Sequence, residues 1–171
     1  DVFRRAHVLL HTKVNDPCPT TVIEALADRQ YLPSYGFPIG LQKLRVIAPD
    51  EKTPFAERLL CLFEGVGALL EAHRPDEGAI EEIFVTVNAS STLKLGHARA
   101  AAMLAPAKAG LAVAEYAARE VKKAVVGTGG ADKAQSAFMV RRLLPACGDA
   151  SADAADALAV ALTHPTARRS R

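Results

Sequence analysis

The stretch "SADAADALAVALTH", residues 151–164, decides how this chain is read. It is an apolar, alanine-rich helix by its periodicity, yet it carries two acids. Ser151 makes a good N-cap. Asp153 falls in the first turn, where the helix dipole stabilises a negative charge by about 0.3–1 kcal/mol. Asp156 is one turn further in and on the same face, because residues three apart are helix neighbours. Two like charges side by side repel unless something positive lies between them. The pair is therefore either a capping charge with an incidental neighbour, or a cation site.

A third acid bears on that choice. The segment "GAIEEIFV", residues 78–85, reads as a buried β-branched strand, and it contains Glu81 and Glu82. Alternation sends these two to opposite faces, so at most one can join a given site. A carboxylate on an apolar strand is costly unless it is paired or bound to a cation. One strand carboxylate and two helix carboxylates supply hard oxygen ligands suited to Mg²⁺ or Mn²⁺. Such sites commonly support phosphoryl chemistry.

The bulk numbers set the frame. The chain has 171 residues, half of them hydrophobic, which fits one ordinary domain with its own core. Charge is unevenly spread. Residues 1–83 hold 9 Lys+Arg against 13 Asp+Glu, a balance of −4, and residues 84–171 hold 12 against 6, a balance of +6. The second half can present a basic face to an anion such as nucleic acid, or simply a solvated surface. Cys18, Cys61 and Cys147 form no C-x-x-C pair, so neither a zinc site nor a disulfide framework is indicated. Cys61, in "RLLCLF", reads as a small core residue. These features suit a reducing, cytoplasmic setting. No apolar run approaches the length of a membrane span.

The chain changes character near residue 44. Six of its ten prolines lie within the first 54 residues, and periodicity before residue 44 is poor. There, 7–14 suggests a strand and 20–30 a short helix. From "LRVIA" onward, strands alternate with helices. Helices are expected over 54–73, over 91–110 with Ser91 or Thr92 as cap and Gly110 as stop, and in "EVKKAVVG" up to Gly127. Another is expected over 132–144, with Asp132 near its positive end. Strands are expected at 78–85 and 111–117. This alternation predicts an α/β fold with parallel pairing. Lys122, Lys123 and Lys133 surround the glycine-rich turn in "REVKKAVVGTGGADKAQ". No Gly-Lys-Ser/Thr follows the glycines, so this is not a P-loop. A lysine-flanked turn suits DNA phosphates, or it is a solvated loop.

Three stretches in this order, "AIEEIFVTVNASSTLKLGHARA", "EYAAREVKKAVVGTGGADKAQ" and "ADAADALAVALTH", resemble the RuvC family of crossover-junction endodeoxyribonucleases, the bacterial Holliday junction resolvases. The resemblance runs from about residue 44 to 165. It implies an α/β, RNase H-like mixed sheet flanked by helices, and a homodimer. It implies Mg²⁺-dependent hydrolysis, with Mn²⁺ as a substitute, at two symmetric strands of a four-way DNA junction, and RuvA–RuvB as partner complex. By the family motif, Glu81 is the strand carboxylate and Asp153 and Asp156 the helix pair, serving as catalytic and metal-binding residues. Phe84 matches an aromatic that would stack on bases, with core packing as its plain alternative. Lys122 and Lys133 match DNA-contacting lysines. The helix with "KLGHARAAAM" resembles the dimer-forming element, and His97 replaces a residue that is usually glutamine. His164 lies about 12 Å beyond Asp156 at a helical rise of 1.5 Å per residue, too far to share a metal.

One part of the family pattern is missing. The family opens with a strand ending near Gly-Ile-Asp-Pro-Gly, whose aspartate is a fourth ligand. The nearest fragment here is "VNDPCPTT", with Asp16 before Pro17. The expected organisation is an atypical segment over 1–43, a nuclease domain over 44–165 and a basic tail over 166–171. Two functions follow: an active resolvase, or a junction-binding protein impaired in cutting by an incomplete metal site. A third reading is an RNase H-like protein with another nucleic-acid substrate.

Overall fold

The computed structural model describes residues 7–12, 22–32, 37–82, 88–147 and 151–169. Among these residues, five strands form one sheet: β1 (His7–Thr12), β2 (Val22–Leu32), β3 (Phe37–Ile47), β4 (Glu77–Glu81) and β5 (Val113–Tyr116). Their spatial order is β3-β2-β1-β4-β5. The β1–β2 and β2–β3 pairs are antiparallel, and β1–β4 and β4–β5 are parallel. The parallel half is the one the strand–helix alternation predicts.

The antiparallel half corrects one expectation. Residues 20–30 read as a short helix, but Val22–Leu32 is an 11-residue strand. It pairs with β1 on one side and β3 on the other, and two register shifts interrupt its pairing with β3. A middle strand gains ladder hydrogen bonds on both edges, and this tertiary pairing overrides local helix preference. The "LRVIA" strand likewise proves to be the end of a longer strand, β3.

Among the described residues, five α-helices cover the sheet: α1 (Phe55–His73), α2 (Ala89–Lys108), α3 (Ala118–Val126), α4 (Lys133–Leu143) and α5 (Ala152–Arg169). Helix α1 buries the stripe Leu62, Val66, Leu69 and Leu70, at the expected spacing. Cys61 falls beside that stripe and is exposed, so it is not the core residue its neighbours suggested. Helix α2 starts earlier than expected. Its cap is Asn88, whose side chain accepts from Ser91 N–H at 3.2 Å, and Thr92 instead bonds back to the Asn88 carbonyl. Helix α3 stops at Gly127, whose φ of 88° lies in the left-handed region that glycine enters without strain. Helix α4 opens with a capping box, in which Asp132 accepts from Gln135 N–H at 2.8 Å and Gln135 accepts from Asp132 N–H at 3.0 Å.

Two cores sandwich the sheet. On one face Ile80 packs with Leu62, Val66, Ala98, Ala101 and Ala102 of α1 and α2. On the other, Ala79 and Tyr116 pack with α3, α4 and α5. Helix α5 is the centre of this second layer: every residue from Ala157 to Ala161 is buried. Alanine, leucine and valine fit there because a helix surrounded on all sides has no polar face to offer.

Past its buried run, α5 is tied to the sheet by polar contacts. His164 Nε2 lies 3.0 Å from Glu77 Oε2, and Nδ1 lies 2.8 Å from the Tyr116 hydroxyl. A carboxylate only accepts, so Nε2 carries a proton toward Glu77, and Nδ1 shares its hydrogen bond with the Tyr116 hydroxyl. Glu77 begins β4, so α5 runs antiparallel to that strand, and its first turn is carried toward the end that holds Glu81.

Two outcomes test this packing. Leu158→Ala should lower stability by about 2–5 kcal/mol, the usual range for a fully buried leucine, in chemical denaturation. Tyr116→Phe removes one buried hydrogen bond and should cost about 1 kcal/mol in the same assay, with the fold retained.

Candidate active site

Glu81 is the last residue of β4. It shares its face with Ala79, which packs on the α5 side, because side chains two apart along a strand point the same way. Glu82 lies past the strand end and is exposed, while its N–H donates to the Tyr116 carbonyl at 2.8 Å. Only one of the two glutamates can therefore meet α5, as alternation requires.

The first turn of α5 faces Glu81. Ser151 caps the helix, its Oγ accepting from Ala154 N–H at 3.3 Å. This fixes the turn that carries Asp153 and Asp156. A cavity of about 280 Å³ opens between the layers, and its walls include Glu81, Asp153, Asp156, Lys122 and Lys133. Five residues singled out in the sequence, drawn from β4, α3, α4 and α5, thus share one cavity. It stands at the carboxyl end of a parallel strand, where open α/β sheets place their ligands.

Positive charge moderates the acidic cluster. Lys133 Nζ lies 3.9 Å from Asp156 Oδ2, with the lysine side chain 66% and the aspartate 25% exposed. A pair so open to water is weak and easily exchanged for another partner. Lys133 is thereby held at the cavity mouth without being locked there. The glycine-rich turn between α3 and α4 is packed rather than free: a Cβ on Gly129 would stand 2.6 Å from Arg119 Cγ and 3.2 Å from its carbonyl oxygen. That close approach sets the path from Lys122 on α3 to Lys133 on α4.

The donor set is carboxylate oxygen, which suits a hard divalent cation. Among the described residues no three His, Cys, Asp or Glu side chains close into a complete ligand cluster. This still fits Mg²⁺, which keeps several waters and needs only one or two protein carboxylates besides the substrate phosphate.

The other named residues lie elsewhere. His97 is exposed on α2, with Nδ1 2.7 Å from the Leu93 carbonyl oxygen and its ring edge-on to Phe55. His164 is bound to Glu77 and Tyr116, away from the aspartates. Phe84 and Asp16 fall outside the described residues. Sequence reasoning missed Ser136, a buried cavity residue whose hydroxyl donates to the Asp132 carbonyl at 3.1 Å. A serine in the first turn of a helix is too common to stand out as a site residue.

Comparison with known proteins identifies the family and the fold. Residues 40–164 match the family model for crossover junction endodeoxyribonuclease RuvC. The RuvC of Caulobacter sp. (strain K31) is 69% identical over 123 residues, 72% of this chain and 73% of that protein. The RuvC of Maricaulis maris is 64% identical over 124 residues, 72% and 74% of the two chains. The solved structure of Thermus thermophilus RuvC in complex with Holliday junction substrate superposes with a TM-score of 0.80 at 28% identity, covering 97% of this chain and 96% of that one. The mixed sheet flanked by helices is the RNase H-like fold of these relatives, and the chain belongs to the RuvC family of crossover junction endodeoxyribonucleases.

Proposed function

We propose that this chain resolves four-way DNA junctions by paired, symmetric nicks that require a divalent cation, Mg²⁺ in the first instance and Mn²⁺ as a substitute. The observation that carries the reading is the meeting of Glu81, Asp153 and Asp156 with Lys122 and Lys133 in one cavity. Support for the substrate comes from the Thermus thermophilus relative, solved with a Holliday junction.

Glu81, Asp153 and Asp156 are the residues that would hold the cation. When bound, it supplies Lewis-acid chemistry, making water a nucleophile at neutral pH and stabilising charge on the phosphate. Lys122 and Lys133 would hold the scissile phosphate against this cluster. Lys133 can leave its weak contact with Asp156 for a phosphate oxygen, exchanging one anion for another. In the hydrolysis, a water oxygen bonds to phosphorus and the phosphorus–O3′ bond breaks. The products are a 3′-hydroxyl and a 5′-phosphate that can be ligated. Phe84 is proposed to stack on bases at the crossover, where base–aromatic stacking is worth about 1–3 kcal/mol.

Two symmetric nicks require two such sites, so a homodimer belongs to the same proposal. Helix α2 supports it: Leu93 is 64% and Leu104 59% exposed, and Ala100 lies exposed between them. A row of exposed apolar residues on one helix face suits a second copy related by two-fold symmetry. The family resemblance adds RuvA–RuvB as partner complex and a cytoplasmic setting. Among the described residues no helix is long and apolar enough to cross a membrane.

A second reading is a junction-binding protein impaired in cutting. It is favoured by where the family match begins, at residue 40, so that the opening aspartate motif has no counterpart within the matched segment. The division into an atypical segment over 1–43, a nuclease domain over 44–165 and a basic tail over 166–171 is part of the proposal on either reading.

Cleavage of a labelled four-way junction separates the two. On the first reading, native protein gives symmetric nicks with Mg²⁺ or Mn²⁺. Asp153→Asn then slows cleavage by about 100-fold or more while gel-shift binding persists, since cation stabilisation of the phosphate is worth several kcal/mol. Tight binding without nicks in either metal establishes the second reading. Equal cutting of linear duplex and junction rejects both. Lys122→Ala should weaken junction binding and reduce the slope of log K against log salt by about 0.9, as one phosphate contact is lost. Leu104→Glu should convert the dimer to monomer in sedimentation velocity.

A further inference from the structure

The Glu81 backbone is held by a residue that plays no part in the cavity. Arg99, on α2, donates from Nε to the Glu81 carbonyl oxygen at 3.2 Å. Its Nη2 pairs with Glu115 Oε2 on β5. The β1–β4 ladder runs from His7–Glu77 to Leu10–Ile80, so Arg99 takes hold where that pairing stops. Its flanking residues on α2 are fixed, since Ala98, Ala101 and Ala102 are buried against Ile80 on the α1–α2 face of the sheet. Glu81 therefore touches both layers. Its carboxylate lines the cavity on the α5 side, and its carbonyl is gripped from α2 across the strand end.

We propose that Arg99 is a positioning residue that fixes the Glu81 carboxylate for cation binding. The proposal rests on the reading of the cavity as a metal site. The guanidinium is a rigid planar fork, able to hold two acceptors at a set separation. Here one acceptor is a strand-end carbonyl and the other a side chain from the next strand, so the fork sets where β4 ends relative to β5. The Glu115 side chain is 45% exposed and Arg99 17%. The pair is open to water on the Glu115 side, so neutralising Glu115 adds little cost to global stability, and Arg99→Lys keeps the largely buried stem in place. A metal site is less tolerant, because displacements of about 0.5 Å in a ligand already impair it.

The test compares Arg99→Ala, Arg99→Lys and Glu115→Gln with native protein and Glu81→Gln. Mn²⁺ affinity is read by electron paramagnetic resonance, junction cleavage by rate, and metal-free junction binding by gel shift. Arg99→Ala should weaken Mn²⁺ binding about tenfold and slow cleavage to match, the scale expected when support of a metal ligand is lost. Metal-free junction affinity should stay within about twofold of native. Arg99→Lys, which keeps the charge but not the fork, should fall between, and Glu115→Gln should be milder still. If Arg99→Ala does not fold, the other two variants carry the test. Native Mn²⁺ affinity in these variants, even with a lowered melting temperature, overturns the proposal. If native protein binds no Mn²⁺, or Glu81→Gln leaves binding unchanged, the cavity is not the metal site and the proposal falls with that reading.

Discussion

The structure depends on one constraint, the burial of α5 against β4. A helix surrounded by protein from Ala157 to Ala161 can carry charge only near its ends. At its amino end the charge is Asp153 and Asp156, beside Glu81. Farther along the helix, past the buried run, the polar group is His164, answered by Glu77 and Tyr116. On both sides of its buried run α5 thus meets β4, once through a cavity and once through buried hydrogen bonds. Because apolar contacts fix the helix between these points, acids that would repel on a free surface are held together at one end.

The same packing explains how five residues distant in sequence reach one cavity. Glu81 arrives because β4 stops there. Lys122 and Lys133 arrive because a tight glycine turn, pressed against Arg119, reverses the chain between α3 and α4. Asp153 and Asp156 arrive because Ser151 and the helix behind it fix the first turn. Acids and lysines together suit a phosphodiester, where anionic oxygens need cations and the cation needs carboxylates. Acids alone would repel DNA, and lysines alone would bind it without offering a way to cut.

Much of this was legible in the sequence. From residue 44 on, the helix periods, the stop at Gly127, the start at Asp132 and the alternation at Glu81–Glu82 all act locally, and the structure follows them. Where reading went astray, the deciding force was distant. Residues 22–32 carry helix-like composition but become a middle strand because β1 and β3 offer edges on both sides. Cys61 sits among core leucines in sequence yet points outward, since the α1 stripe passes beside it. Asn88 proved a better cap than Ser91 or Thr92, as its side chain reaches the Ser91 N–H. Arg99 gave no sign in a sequence, because its importance lies in a strand end that only the fold brings near. Phe84 and Asp16 fall outside the described residues, and the stacking role of Phe84 rests on the family resemblance alone.

Anomalous scattering from crystals of the native chain grown with Mn²⁺ reads most directly whether Glu81, Asp153 and Asp156 hold the proposed cation. The expected result is an anomalous peak in the cavity, within coordination distance of Glu81 and at least one of the two aspartates. Mn²⁺ bound elsewhere, with this cavity holding only water, would contradict it.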